Sequence, residues 1–188
     1  MRVVGGRLRG RGLAGPRSRA VRPTADRLRE SLFDILAHGY GDPVAEARVL
    51  DLFAGTGALG IEALSRGAAF ALFVDDSAEA RALMRENVAA LGLGGSARIF
   101  RRDATRLGPA HPLEPFSLVF VDPPYGRGLA PAALDSARAG RWFAPGALVV
   151  VEEAKARFAA PQAFVELERR AYDDTEFVFL READEAPR

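Results

Sequence analysis

The strongest constraint on the fold is a repeated order of apolar run, turn and helix pattern that begins at residue 48. Uninterrupted runs rich in Val, Leu and Phe predict strands at 48–53, 70–74, 97–100, 117–121 and 147–151, the third being the weakest. Helix patterns lie between them at 58–66, 78–91 and 129–139. Strands without a polar face, separated by helices, are typical of a parallel sheet buried on both sides.

The last two strand patterns differ from the first five. Residues 164–168 and 176–180 alternate between apolar and polar, and the link between them is short, which predicts an antiparallel pair. The sequence therefore predicts an α/β fold, a doubly wound and mostly parallel seven-stranded sheet of the Rossmann-like type. Ligands of such sheets bind beyond the carboxyl ends of the strands, where the strand order reverses.

A basic extension precedes this pattern. Residues 1–29 hold nine arginines and one acid, a charge of +8, so the total of +1 leaves −7 for the rest of the chain. Such an arm predicts a polyanion partner, because a guanidinium can donate two hydrogen bonds to one phosphate; a solvated tail is the alternative. The phosphate-binding candidates are Arg7, Arg9, Arg11 and Arg22.

The arm is followed by a helix pattern that begins at Pro23-Thr24, with Thr24 as the predicted N-cap, and ends at residues 39–43. We predict two parts: the arm with its helix at 1–40, and the sheet domain at 41–188.

Composition excludes several classes of site. The chain of 188 residues contains no cysteine and two histidines, which rules out disulfides, thiol nucleophiles and cysteine-ligated metals and predicts no metal centre. No apolar run approaches the roughly 20 residues of a membrane helix, and the first residues lack the apolar core of a signal peptide. We expect a cytoplasmic monomer.

The first strand runs into a glycine turn, Asp51-Leu-Phe53-Ala-Gly55-Thr-Gly57, that opens a helix. Glycines let the backbone approach a ligand closely, and a helix start offers unpaired N–H groups. A tight turn without a ligand, or a dinucleotide site, are the alternatives. The carboxylate beside the turn would repel a pyrophosphate and suits a positively charged ligand.

Acids also follow the second and third strands. Asp75, favoured over its neighbour Asp76, is placed to hold ribose hydroxyls, and Asp103 to reach an adenine amino group. Solvated loop carboxylates are the alternative for each.

The fourth strand ends in Asp122-Pro123-Pro124-Tyr125. Two prolines fix the backbone and remove two N–H donors, so nearby carbonyls can point into the cleft. A planar base could stack on Tyr125 while the Asp122 carboxylate and the Pro123 carbonyl accept hydrogen bonds from its exocyclic amine. A proline-rich turn without function is the alternative.

These motifs together resemble a class I S-adenosylmethionine-dependent methyltransferase that methylates amines. The blocks V-G-G-R-L-R-G-R-G-L (4–13), R-P-T-A-D-R-L-R-E-S-L-F-D-I-L (22–36), L-F-A-G-T-G-A-L-G-I-E-A-L-S-R-G (52–67) and F-V-D-P-P-Y (120–125) closely resemble the RsmD family of 16S ribosomal RNA guanine-N2 methyltransferases.

The resemblance implies a role for each motif. It places the methionine part of S-adenosylmethionine at Asp51, Phe53, Gly55 and Gly57, the ribose at Asp75, the adenine at Asp103 and Ala104, and the lid over the cofactor carboxylate at Thr24 and Arg27. It assigns the target guanine to Asp122, Pro123 and Tyr125.

The partner implied by the resemblance is 16S rRNA or the small ribosomal subunit. Three other functions stay open at this point: adenine-N6 methylation of DNA or RNA, a non-catalytic ribosome-assembly factor, and a nicotinamide oxidoreductase.

Overall fold

The computed structural model describes residues 1–15, 23–124 and 126–183, without the side chains of residues 23–25. Its strands are β1 (Arg48–Leu52), β2 (Phe70–Val74), β3 (Ala97–Phe100), β4 (Phe116–Val121), β5 (Phe143–Ala154), β6 (Phe164–Tyr172) and β7 (Thr175–Glu182). Its helices are α1 (Pro23–Gly39), α2 (Ala58–Ser65), α3 (Ala78–Ala90) and α4 (Leu129–Ala139). Within the described ranges, no helix is both long and apolar enough to span a membrane.

The seven strands form one sheet in the order β3-β2-β1-β4-β5-β7-β6. The first five pair in parallel, whereas β7 pairs antiparallel with both β5 and β6. This confirms the predicted mostly parallel sheet with an antiparallel end. The strand order reverses between β1 and β4, which places the predicted ligand cleft at the carboxyl ends of these two strands.

Both faces of the sheet are covered, as the apolar strands require. One face packs against α1, α2, α3 and the N-terminal residues, around Phe33, Phe73 and Phe120. The opposite face packs against α4 around Leu134 and Trp142. On the first face, side chains continue beyond the apolar core at the carboxyl ends of β1, β4 and β5.

Three predicted boundaries differ from the structure. β5 is longer at both ends than 147–151. It begins with an irregular Ala-Pro-Gly segment, with Gly146 at φ +71°, and its last residues, 152–154, pair with β7. β6 and β7 extend into the predicted link and leave a tight turn between Tyr172 and Thr175. The prediction that Thr24 caps α1 is wrong, since the helix begins at Pro23; a proline fits the first helical turn, where no backbone N–H donor is needed.

The N-terminal segment, residues 1–15, is a compact hairpin rather than a loose tail. An isolated antiparallel bridge joins Arg2 to Gly12, and the side chains of Val3, Leu8 and Leu13 are buried in the same core cluster as one face of the sheet. The division of the chain at residue 40 stays a prediction.

Candidate active site

The turn between β1 and α2 has an unusual backbone. Gly55 (φ +56°) and Gly57 (φ +80°) lie in the left-handed region that glycine adopts at little cost, and Phe53 lies there too (φ +59°) although it carries a side chain. Gly57 is the N-cap of α2 and provides no capping side chain. The N-cap residue of α2 therefore provides no side-chain acceptor for the first N–H groups of the helix at the carboxyl end of β1.

Asp51 lies directly beneath this turn and is 1% exposed. Its Oδ2 accepts a hydrogen bond of 2.9 Å from the Gly60 N–H. A Cβ at Gly60 would overlap the ring of Phe73 and lie 3.1 Å from Asp51 Oδ2, so glycine is required for this approach. Burial raises the pKa of Asp51 to about 7, the Gly60 hydrogen bond opposes the rise, and the nearby charge of Asp75 adds to it.

Asp75 holds the turn from the neighbouring strand. Its Oδ2 accepts the Gly55 N–H at 2.9 Å, and its Oδ1 accepts the Ser77 N–H at 2.8 Å. The side chain of Asp76 is more exposed, and its carbonyl accepts a hydrogen bond from Arg81. The structure thus brings Asp75, the favoured of the two acids, into contact with the glycine turn.

Three carboxylates form a row along the carboxyl ends of adjacent strands: Asp51 on β1, Asp122 after β4 and Glu152 on β5. The registers pair Asp51 with Phe120, and Val121 with Val151, so Asp122 and Glu152 follow as the next neighbours. Because side chains alternate along a strand, all three carboxylates continue the face that carries Phe120 and not the face of α4. We call these three residues the acid row.

The acid row shifts the pKa of Asp122. Burial raises it well above its usual value, and the charges of Glu152, Asp51 and Glu153 add to the rise in that order. Glu153 points to the other side, where its Oε1 accepts the N–H of Gly126 at 3.2 Å and of Ala154 at 2.9 Å. Glu153 therefore ties the loop that follows Asp122 to β5. Across the described ranges, no three or more His, Asp or Glu side chains are grouped as a metal site.

Two cavities open beside the glycine turn, and both are lined by Phe53, Gly55 and Asp122. The outer cavity, about 470 Å³, is also lined by Asp75, Asp76, Ser77, Ala80, Pro123 and Pro124. The inner cavity, about 250 Å³, is also lined by Met1, Leu28, Arg29, Asp51, Ala54, Thr56, Ala58, Leu59, Glu152 and Phe177. Asp122 thus borders both of these adjoining spaces, as Phe53 and Gly55 do.

Other predicted site residues lie away from these cavities. Asp103 is exposed and caps a short 3-10 turn: its Oδ1 accepts the Thr105 N–H at 2.8 Å and the Thr105 hydroxyl at 2.7 Å, and the hydroxyl is the larger cause of its lowered pKa. Ala104, next to it, is buried. Arg27 is exposed in a surface depression that Arg2 and Arg9 also line. Their cofactor roles stay predictions.

Three predicted residues fall outside what is described: Tyr125, Arg22 and the side chain of Thr24.

Arg29, which the sequence analysis did not single out, is the arginine of α1 that lines the inner cavity. It is 4% exposed, and its Nη2 donates to Asp26 Oδ1 at 2.9 Å and to the carbonyl of Arg2. The sequence contains only part of the information needed to identify Arg29. The helical spacing of Leu28, Leu32 and Phe33 defines a buried face of α1, but it does not show which neighbouring arginine lies on that face.

Glu62 and Ser65 on α2 hold the N-terminal segment. Glu62 is fully buried, and its two oxygens accept the N–H groups of Val4 (2.9 Å) and Gly5 (2.7 Å) and pair with Arg66 (2.8 Å). The Ser65 hydroxyl accepts the Leu8 N–H at 2.9 Å. These bonds fix the segment on the helix that the glycine turn opens.

Arg7, Arg9 and Arg11 are exposed on the outer side of the same segment, whereas Leu8 and Leu13 point inward. The structure therefore presents three exposed arginines on a hairpin that α2 holds in place, and Arg11 Nη2 also donates to the carbonyl of Ala90 at 3.3 Å.

Comparison with known proteins agrees with this architecture. The family model described as Conserved hypothetical protein 95 matches residues 1–181. The Ribosomal RNA small subunit methyltransferase D of Escherichia coli K12 is 42% identical over 153 residues, which are 81% of this chain and 74% of that protein. The Putative rRNA methyltransferase YlbH of Bacillus subtilis is 42% identical over 127 residues, 66% of this chain and 67% of that protein.

Solved structures show the same fold. A putative methyltransferase of Escherichia coli (yhhF) superimposes with a TM-score of 0.80 at 33% identity and covers 97% of both chains. A hypothetical protein of Thermus thermophilus superimposes with a TM-score of 0.74 at 35% identity, over 95% of this chain and 98% of that one. Because the family match spans nearly the whole chain and these likenesses run through both the N-terminal segment and the sheet, the chain belongs to the RsmD family of methyltransferases.

Proposed function

We propose that this protein transfers a methyl group from S-adenosylmethionine to the exocyclic N2 amine of a guanine in small-subunit ribosomal RNA. The observation that carries this proposal is the position of Asp122 at the boundary of two cavities. A carboxylate at such a boundary can hold an acceptor amine on one side while the methyl donor approaches from the other.

The residues around the glycine turn fit the proposed cofactor. The acidic residues Asp75 and Asp76 line the outer cavity beside the turn, and in this proposal the Asp75 carboxylate holds the ribose hydroxyls. Negative charge favours a ligand that carries a sulfonium and an ammonium group and disfavours a pyrophosphate, which argues against a nicotinamide cofactor. When bound, S-adenosylmethionine supplies a methyl group on a positively charged sulfur, and the sulfur keeps the electron pair of the S–C bond that breaks.

Asp122 positions the amine in this proposal. An aryl amine delocalises its lone pair into the ring, and carboxylate and carbonyl acceptors on its hydrogens, from Asp122 and Pro123, favour the geometry in which that pair can attack. The nitrogen gains the methyl and must lose one proton. Burial beside the other acids raises the pKa of Asp122, which makes its carboxylate a stronger base for that proton. Positioning supplies most of the rate, since the methyl group is already activated.

The N-terminal segment is the proposed RNA-binding surface. Arg7, Arg9 and Arg11 are exposed on a hairpin that α2 holds in place, and guanidinium groups bind phosphates through paired hydrogen bonds. The names of the relatives support rRNA as the partner, because the Escherichia coli protein is named as a methyltransferase of small-subunit ribosomal RNA. Arg22 is part of the same proposal on the sequence pattern alone.

Two other functions make different predictions for the product. Adenine-N6 methylation would use the same Asp-Pro-Pro corner on a different amine, and nucleobase analysis of methylated RNA separates N2-methylguanine from N6-methyladenine. A ribosome-assembly factor without catalysis would bind the particle and transfer no methyl group.

The decisive experiment uses the purified protein, labelled S-adenosylmethionine and small subunits from a strain that lacks the enzyme. We expect label at one guanine, and Asp122→Asn should lower kcat by about 100- to 1000-fold, the usual loss when one oriented polar contact to the reacting group is removed. Cofactor affinity should change by less than about threefold if Asp122 serves the base.

A matched control is Asp135→Asn, the same change at an exposed position on α4. Its activity should equal that of the wild type. Retained turnover by Asp122→Asn would contradict the assignment, and label on adenine or on no base would contradict the proposed function.

A further inference from the structure

Glu152 is the member of the acid row to which neither the glycine turn nor the Asp-Pro-Pro corner gives a role. The side chain lines the inner cavity together with Asp122 and Phe177. Its place is set by the strands: Glu152 follows Val151, the partner of Val121, and it pairs with Phe177 on the other side. The carboxylate is close enough to that of Asp122 to be the largest charge effect on it.

Two neighbouring carboxylates select for a particular hydrogen-bonding edge. A carboxylate oxygen that carries no proton only accepts hydrogen bonds, so two such oxygens side by side, one from each acid, fit a ligand edge with adjacent donors. The Watson–Crick edge of guanine presents the N1–H and the N2 amine side by side. Adenine presents its amine next to the N1 lone pair, which would face a carboxylate oxygen and be repelled.

We propose that Glu152 is the specificity-determining residue for guanine: its carboxylate accepts the N1–H while Asp122 accepts from the N2 amine. This inference rests on the proposed function, because it concerns the base whose amine Asp122 holds. Glu152 supplies discrimination and orientation, and Asp122 remains the residue at the reacting nitrogen.

A substrate analogue tests the pairing directly. 2-Aminopurine keeps the exocyclic amine of guanine at C2 but has a lone pair at N1 in place of the N1–H. Reconstituted small subunits with guanine or 2-aminopurine at the modified position would be compared by kcat/KM for methyl transfer. A site built around a hydrogen bond rejects an analogue that lacks the donor by large factors, so the wild type should prefer guanine by at least about 100-fold.

Glu152→Gln should reverse part of this preference, since the glutamine amide can donate to the N1 lone pair of 2-aminopurine. We expect kcat/KM for guanine to fall by about 100-fold and the guanine to 2-aminopurine ratio to fall by at least about 30-fold. Glu152→Asp keeps an acceptor and should keep the preference while it loses rate. Glu86→Gln, at an exposed position on α3, is the matched control.

Two further measurements separate the possible failures. Calorimetric affinity for S-adenosylmethionine should stay within about threefold in Glu152→Gln; a large loss with an unchanged base ratio would assign Glu152 to the cofactor and overturn the inference. An unchanged ratio with unchanged cofactor affinity would overturn it as well, while methylation of guanine N2 by the wild type would leave the proposed function standing. A wild type that does not methylate guanine N2 would refute the function and the inference with it.

Discussion

Asp51→Asn should change how the stability of the protein depends on pH. The carboxyl group has a pKa of about 7 in the folded protein and 3.8 as the ordinary value, so the folded state keeps a proton that the unfolded chain has released. A raised acid pKa lowers the free energy of unfolding as pH rises from the unfolded pKa to the folded one, and the loss is complete above pH 7.

The size of the effect follows from the shift. Each pKa unit corresponds to about 1.4 kcal/mol, and the interval from pH 5.5 to 7 covers about half of the shift, which gives about 2 kcal/mol of lost stability. For a chain of this length that corresponds to about 4–8 °C in Tm. Asparagine can still accept the Gly60 N–H and has no proton to lose, so the variant should lack this part of the pH dependence.

The assay is urea unfolding of both proteins without cofactor at pH 5.5, 7 and 8, with Asp135→Asn as the exposed control. The difference in free energy between Asp51→Asn and the wild type should grow by about 2 kcal/mol in favour of the variant from pH 5.5 to 8. Parallel curves over this range would refute the reasoning, because they would mean that Asp51 is ionised throughout.

Two more predictions concern the N-terminal segment. Glu62→Gln breaks a buried ion pair and puts an amide group opposite backbone N–H donors. The substitution should therefore lower the free energy of unfolding by about 3 kcal/mol and the Tm by about 6–12 °C. A Tm within 2 °C of the wild type would contradict the anchoring role. Replacing Arg7, Arg9 and Arg11 with alanine should weaken RNA binding. It should also reduce the slope of log affinity against log salt by about 0.7–0.9 for each phosphate that the variant no longer binds. An unchanged slope in a filter-binding titration would exclude these arginines as phosphate ligands.

The sheet could be predicted from the sequence because its signals are local. A buried parallel strand needs an uninterrupted apolar run, and the runs around Leu50, Leu72 and Val119 are short and bounded by turn residues. The first part of β5 was missed for the opposite reason: Pro145 and Gly146 read as a turn, and only pairing with β4 makes the segment a strand.

The residues of the candidate site also divide into those that could be predicted from the sequence and those that could not. Asp51, Asp75 and Asp122 could be placed from sequence, since each follows a strand and parallel strands end at one edge of the sheet. Glu152 was missed because the predicted strand ended one residue earlier, although continued alternation from Val150 would have placed it on the cavity side. Glu62 could not be recognised, since its partners are backbone N–H groups 57 and 58 residues away.

The two proposed functions of the chain, holding the cofactor and holding RNA, meet on a single short helix. α2 has eight residues, about 12 Å of helix, with the glycine turn at its start and Glu62 and Ser65, which bind the N-terminal segment, near its end. Met1 of that segment lines the inner cavity. A segment fixed at this distance acts as a wall of the site and not as a free tether. RNA bound by its arginines would therefore be held in a set position relative to Asp122, and loosening of the segment by Glu62→Gln should reduce both RNA affinity and the rate of methyl transfer from bound RNA.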